Sequence, residues 1–140
     1  MKNIIYPCLW FDGQAKEAAV HYCSIFKNSR LLADTPMVVK FELNGAVFMG
    51  LNGGSQFRFT EAISYVVECE TQEEIDYYWS RLSDGGKEME CGWLKDKFGL
   101  SWQIVPAVLS KLMSDPQKAP RVMQVINRTK KFNIAELENA

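Results

Sequence analysis

Side chains able to do chemistry are sparse in this sequence and fall into no catalytic pattern. Its single histidine, His21, sits inside a helix-periodic stretch, where an imidazole is expected as a partly exposed helix residue rather than a catalyst. Four cysteines, Cys8, Cys23, Cys69 and Cys91, are scattered with no C-x-x-C pair and no zinc-finger spacing. Buried thiols acting as small apolar residues are therefore expected, not a disulfide framework. Cys91 has Lys95 four residues on, and an ammonium near a thiol can favour the nucleophilic thiolate. No base stands in a matching pattern, so a structural role is the leading expectation for Cys91. Glu61 opens the second half of the chain and is a candidate general base, but an acidic residue just ahead of a strand is more often a solvated turn residue.

The elements that must position these residues can be traced by periodicity. Ile4 to Phe11 is a strand-length apolar run closed by Asp12-Gly13. From Gln14 to Phe26 the pattern is helical, with Ala15, Ala18, Ala19, Tyr22 and Phe26 on one face. A short strand is expected at Arg30 to Ala33. Two more follow at Val38 to Leu43 and Ala46 to Leu51, joined by Asn44-Gly45, a dipeptide that tolerates the positive φ of a type I′ hairpin turn. The second half repeats the plan. Ile63 to Cys69 reads as a strand, and Thr71 caps a helix through Leu82, with Glu74 placed to complete a capping box. Strands are then expected around Glu88 to Cys91, at Trp93 to Lys95 and at Leu100 to Val105.

An offset of 57 sets Ala18 on Ile75, Tyr22 on Trp79 and Ile25 on Leu82. Nearer the ends of the halves it falls to 54, where Gly45 meets Gly99 and Phe48 meets Trp102. The chain thus repeats a pattern rather than a set of letters. Beyond Pro106 lie two short helical patterns, around Val108 to Met113 and Val122 to Ile126, and Asn133 is placed to cap a final turn. Arg128, Lys130 and Lys131 cluster near a helix end, where the helix dipole favours cations.

At 140 residues, with 47% hydrophobic, 24% charged and 12% aromatic residues, the chain suits one folded α+β domain over 1–140. Its modules are expected at about 4–54 and 60–106, with a helical extension at 107–140. Sixteen basic residues against seventeen acidic ones give a net charge of −1, which offers nucleic acid or an anionic membrane no electrostatic attraction. The first apolar run is short, contains Pro7 and lacks a cleavage site, and no apolar run approaches a membrane span. A cytoplasmic location is expected.

Strand, helix and three strands, occurring twice, resembles the vicinal oxygen chelate superfamily, which includes glyoxalase I and the bleomycin-resistance proteins. Within it, "YPCLWFDGQAKEAAVHYCSIFKNS", "LNGG", "FTEAISYVVECETQEEIDYYWSRLSDGG" and "CGWLKDKFGLSWQIVP" are similar to the PhnB-like branch. Its members often carry a demethylubiquinone methyltransferase label. The only glycine pairs, Gly53-Gly54 and Gly85-Gly86, form no G-x-G-x-x-G and lie in no Rossmann unit, so methyl transfer is not expected.

The resemblance implies a cup formed by both halves, in which the superfamily's enzymes generally hold a divalent metal. It places Pro7, Met49, Ser64 (or Tyr65 on a one-residue slip) and Gln103 at the ligand positions. None offers an imidazole or carboxylate, so no metal and no other cofactor is expected. Alternation would turn Leu9, Cys91, Trp93 and Gln103 toward the cavity with Pro7, and Trp102 toward the helices. Trp93 could stack on a flat or cationic ligand. The resemblance thus implies a metal-free protein that binds a small molecule and pairs as a homodimer; the apolar segment Val122 to Ile126 is expected either to contribute to the interface or to pack onto its own chain. The alternative is an enzyme, a lyase, isomerase or transferase acting on a small metabolite in the same cup.

Overall fold

The computed structural model describes residues 3–140, which divide into two compact units, the first ending at Phe59 and the second spanning Thr60–Ala140. In the first, β1 (Cys8–Phe11), α1 (Ala15–Ile25), β2 (Arg30–Asp34), β3 (Val38–Leu43) and β4 (Ala46–Asn52) build a sheet of order β1-β4-β3-β2. β1 runs parallel to β4, and the other pairs are antiparallel. Ala15, Ala18, Ala19, Tyr22 and Ile25 form the buried stripe of α1, and the sheet answers with Leu9, Phe11, Val39, Phe41, Leu43 and Phe48. Helix and sheet approach closely because Gly50 has no side chain: a Cβ there would sit 3.1 Å from the Cβ of Ala15. Gln14 provides no side-chain cap to α1. Asn52 replaces it from the end of β4, accepting the Ala15 N–H at 2.9 Å and donating to the Pro36 carbonyl at 3.0 Å.

The second unit repeats the design. β5 (Tyr65–Cys69), α2 (Gln72–Ser83), β6 (Lys87–Glu88), β7 (Trp93–Lys95) and β8 (Ser101–Pro106) give the order β5-β8-β7-β6, again with the first and last strands parallel. The expected capping box is present: Thr71 Oγ1 accepts the Glu74 N–H at 3.2 Å, and Glu74 Oε1 accepts the Thr71 N–H at 3.2 Å. Such a cap stabilises a helix by about 1 kcal/mol. Ile75, Trp79 and Leu82 of α2 are buried, as are Cys69, Leu94, Trp102 and Ile104 of the strands. The chain therefore has an α+β fold of two βαβββ modules followed by a helical extension of α3 (Leu109–Met113), α4 (Ala119–Asn127) and α5 (Ile134–Glu138).

Two expectations need correction. The strand expected from Ile4 starts only at Cys8, and Ile4 and Ile5 are exposed. The strand expected through Cys91 ends at Glu88. Glu90 to Trp93 instead make a tight turn, with the Trp93 N–H on the Glu90 carbonyl at 3.1 Å and positive φ at both Cys91 (59°) and Gly92 (80°). Of the two readings open for Val122 to Ile126, packing onto the chain itself holds for Val122 and Val125. They are buried with Leu112, Phe132 and Leu137 in a small core of this chain's own extension. That core is tied to the rest of its unit by the Gln72 side chain, which donates to the Phe132 carbonyl at 2.9 Å and accepts the Ile134 N–H at 2.8 Å.

One buried charge organises the β7–β8 hairpin. The Asp96 carboxylate, 3% exposed, accepts the backbone N–H groups of Phe98 (2.9 Å) and Leu100 (3.0 Å) and the indole N–H of Trp102 (2.9 Å). Replacing Asp96 by Ala leaves three donors without this acceptor and is expected to cost about 3–5 kcal/mol. Asp96→Asn should cost less, because its carbonyl can still serve the two amides. Urea denaturation followed by circular dichroism measures both, and equal losses would contradict the hydrogen-bonding account.

Candidate functional site

In each unit the helix covers one face of the sheet, and side-chain alternation fixes which residues carry the other. In the second unit, Leu94 lies opposite Trp102, and both are buried on the α2 side. Trp93 opposite Gln103 and Lys95 opposite Ser101 therefore point the other way. On β5, Val66 is beside Gln103 on that face and is 54% exposed. Ser64, one residue ahead of β5, joins them, since Gln103 Nε2 donates to Ser64 Oγ at 2.9 Å. Lys95 is ion-paired with Glu61. That hydrogen bond holds the Glu61 carboxyl below the usual carboxylate range, which makes it a weaker base rather than a primed one. Ser101 is wholly buried, and its hydroxyl has no hydrogen-bond partner among the described residues.

In the first unit the equivalent face carries Cys8, Lys40 and Met49 side by side across β1, β4 and β3. The Lys40 ammonium lies 4.7 Å from the centre of the Tyr6 ring. Trp10 shares this face, and its indole N–H donates to the Gly54 carbonyl at 2.8 Å while Phe57 meets it edge-on at 4.9 Å. The indole lies over Gly53, where any Cβ would come within 2.3 Å of the ring. This explains the need for glycine in the Leu51-Asn52-Gly53-Gly54 segment.

The structure thus brings Ser64, Trp93 and Gln103 together and sets Met49 on the matching face of the other unit. It does not do so for Leu9, which pairs with Gly50 and is buried under α1. Pro7 falls with Leu9 by alternation, its carbonyl accepting the Met49 N–H at 3.0 Å. The cause is a one-residue difference in loop length: three residues separate β1 from α1, but two separate β5 from α2. Aligning the halves by their helices therefore misplaces β1 by one, and a one-residue shift exchanges the faces. The counterpart of Ser64 is Tyr6, and that of Pro7 is Tyr65. Cys91 departs for a different reason, since it belongs to a turn and its backbone N–H donates to the Thr129 carbonyl at 2.8 Å. Tyr6, Trp10 and Lys40 were not anticipated. The alternation of buried and open positions along β3 and β1 carried their signal once the register was right.

Residues 3–105 match the model of the family described as 3-demethylubiquinone-9 3-methyltransferase. The chain belongs to this family. A putative 3-demethylubiquinone-9 3-methyltransferase, a PhnB protein from Bacillus cereus, is 33% identical with a TM-score of 0.69, over 75% of this chain and 100% of that one. A protein from Pseudomonas aeruginosa is similar at 18% identity and TM-score 0.64, over 75% and 98% of the two chains. A fosfomycin resistance protein from Listeria monocytogenes, solved with Mn(II) and sulfate, is similar at 16% identity and TM-score 0.58, over 81% and 96%. No curated protein matches the chain. The fold is that of the vicinal oxygen chelate superfamily.

The divalent metal implied by that fold does not suit the residues present. Gln103 is engaged with Ser64, and Met49 offers a soft thioether beside the Lys40 cation, whereas catalytic divalent ions take imidazole and carboxylate ligands. Among the described residues, no three His, Cys, Asp or Glu side chains group as such an ion would need.

Two thiol predictions follow from these placements. Burial, with a contribution from Glu74, pushes the Cys69 thiol up to about 11. At pH 8 roughly a thousandth of it is thiolate, so Cys69 should react with an aromatic disulfide reagent only on unfolding, as mass mapping of labelled peptides will show. Cys91 is held at a positive φ that an L side chain adopts at a cost of about 1 kcal/mol. Cys91→Gly should therefore be neutral or stabilise the chain by up to about 1 kcal/mol. A large loss of stability would mean that the thiol makes an interaction beyond the turn.

Proposed function

We propose that this chain is a small-molecule-binding protein of the PhnB type that works without a metal ion, with its ligand on the sheet face carrying Ser64, Trp93 and Gln103. The observation that carries this is the Gln103–Ser64 hydrogen bond. The family resemblance implies a metal ligand at Gln103, and the hydrogen bond makes that position a neutral polar contact beside an indole. Methyl transfer is disfavoured because the sheets are two separate βαβββ arrangements, not the doubly wound parallel sheet that binds a nucleoside cofactor at a glycine-rich turn.

An enzyme acting on a small metabolite is the second reading, and Cys91 and Glu61 were its candidates. Cys91 is committed to a turn, and Glu61 is engaged with Lys95, which leaves that reading with no primed nucleophile or base. Free thiols suit a cytoplasmic protein, and no helix of the described residues is long and apolar enough to cross a membrane. A homodimer remains part of the proposal. Its surface would lie elsewhere than Val122 and Val125, because both are spent on the chain's own core.

The test is thermal unfolding of the full chain with a pooled extract of small metabolites, with divalent ions added in parallel. A ligand at about a hundred times its Kd adds roughly 2.7 kcal/mol to the folded state. The pool should raise the midpoint by several degrees, Trp93→Ala should abolish the rise, and divalent ions alone should leave the midpoint unchanged. Stabilisation by a divalent ion alone, with stoichiometric metal by elemental analysis, would overturn the proposal.

A further inference from the structure

The chemistry of this face points to a class of ligand. Resting on the binding function proposed above, we infer that the second unit takes a neutral, planar molecule with an amide-like edge, stacked on Trp93 and hydrogen-bonded to Gln103 and Ser101.

Three observations lead there. The face has one large flat group, Trp93, directly opposite Gln103, and an indole face favours a flat partner over a puckered one. The Gln103 amide uses one N–H on Ser64. Among the described residues its carbonyl oxygen and second N–H remain, an acceptor beside a donor, which pairs with an amide or a ring edge of the same kind. Next to Gln103 on β8, Ser101 is wholly buried with a hydroxyl that has no partner among the described residues. Such a group costs about 1–3 kcal/mol to bury unless something bonds to it, so a polar ligand atom that displaces the side chains covering Ser101 and bonds to it gains what an already hydrated hydroxyl would not give.

Neutrality follows from the ion pair. The Lys95 ammonium, directly across from Ser101, is bonded to Glu61. An anionic ligand must compete with Glu61 for it, and a cationic one must compete with Lys95 for Glu61. Lys87 lies beyond Lys95 on the outer strand, where its charge also acts on Glu61, but it is exposed, so solvent screens it from the stack.

The test uses three small probes with the full chain: nicotinamide (flat, neutral), nicotinate (flat, anionic) and cyclohexanecarboxamide (neutral, not flat). Binding is read from the indole N–H resonance of Trp93, assigned by its loss in Trp93→Phe. Nicotinamide should move that resonance with a Kd on the order of millimolar, as expected for a ligand of so few atoms. Nicotinate and cyclohexanecarboxamide should each bind roughly tenfold more weakly or worse, the equivalent of one good contact. Ser101→Ala is the sharpest variant, because deleting an unpartnered buried hydroxyl should leave the folded state as stable or more so, yet weaken nicotinamide about tenfold. Nicotinate binding as tightly as nicotinamide, cyclohexanecarboxamide doing so, or unchanged affinity in Ser101→Ala would each overturn the inference. A metabolite pool that stabilises the chain through Trp93 while nicotinamide leaves the resonance still would remove the ligand class and keep the binding function. Silence in both would remove both.

Discussion

The buried carboxylate of Asp96 is the constraint on which the second unit's site depends. A lone charge with so little exposure would be expelled or neutralised; here two amides and an indole N–H converge on it. Those bonds close the Asp96–Gly99 turn, where the Gly99 N–H also meets the Asp96 carbonyl at 2.9 Å. They thereby lock β7 against β8 in a single register. In that register Trp93 stands across from Gln103 and Lys95 from Ser101. A slip of one residue would send Trp93 and Gln103 toward α2 and bring Leu94 and Trp102 out. Trp102 does two jobs at once: its ring fills the space under α2, and its N–H serves the charge that holds the hairpin.

The first unit reaches a similar end by different means. Its β3–β4 hairpin needs no buried charge, because Asn44-Gly45 adopts the paired positive φ values of the turn by itself, at 48° and 88°. Its specificity lies instead in close approaches: Gly50 lets α1 onto the sheet, and Gly53 lets the Trp10 ring lie flat on the chain that follows β4. Phe41 and Phe48 stack at 5.5 Å beneath Tyr22. The open face is left with an aromatic and cationic pairing, Tyr6 with Lys40, where the second unit has a tryptophan and an amide. The two halves share an architecture and differ in chemistry, as expected when only the positions on the helix side are constrained by packing.

In both units the resolved shifts of several thiols and carboxylates run away from neutrality. Of the thiols for which burial matters, Cys8, Cys23 and Cys69 are all pushed up. Glu61 and Asp76 are pushed down by lysines, Glu61 by Lys95 and Asp76 by Lys131. Each shift moves its group further from the range in which it would exchange a proton at neutral pH.

The local signals in the sequence sufficed for the elements that are stabilised locally. The helical stripes Ala15–Tyr22 and Ile75–Leu82, the Thr71–Glu74 capping box, the Asn44-Gly45 turn and the Asn133 cap, whose side chain accepts the Glu136 N–H at 3.0 Å, each depend on residues within a few positions of one another. The twofold repeat was legible for the same reason, because it is a repeat of those stripes. Register was not, since it is set by partners far apart in the chain. The extra residue between β1 and α1 exchanged the faces of Pro7 and Leu9 with those of Tyr6 and Cys8, and only pairing with β4 reveals it. Cys91 has no turn propensity. Its positive φ is held by the Gly92 beside it and by the carbonyls of Thr129 and Lys130, nearly forty residues away, which take the Cys91 and Gly92 N–H groups. Ser64 and Gln103 were each legible as ligand-type positions, but the hydrogen bond that joins them exists only because β5 and β8 lie side by side. Sequence by itself determined what each segment would become. Tertiary structure decided which face each side chain would show, because in a strand that choice turns on a single residue of register.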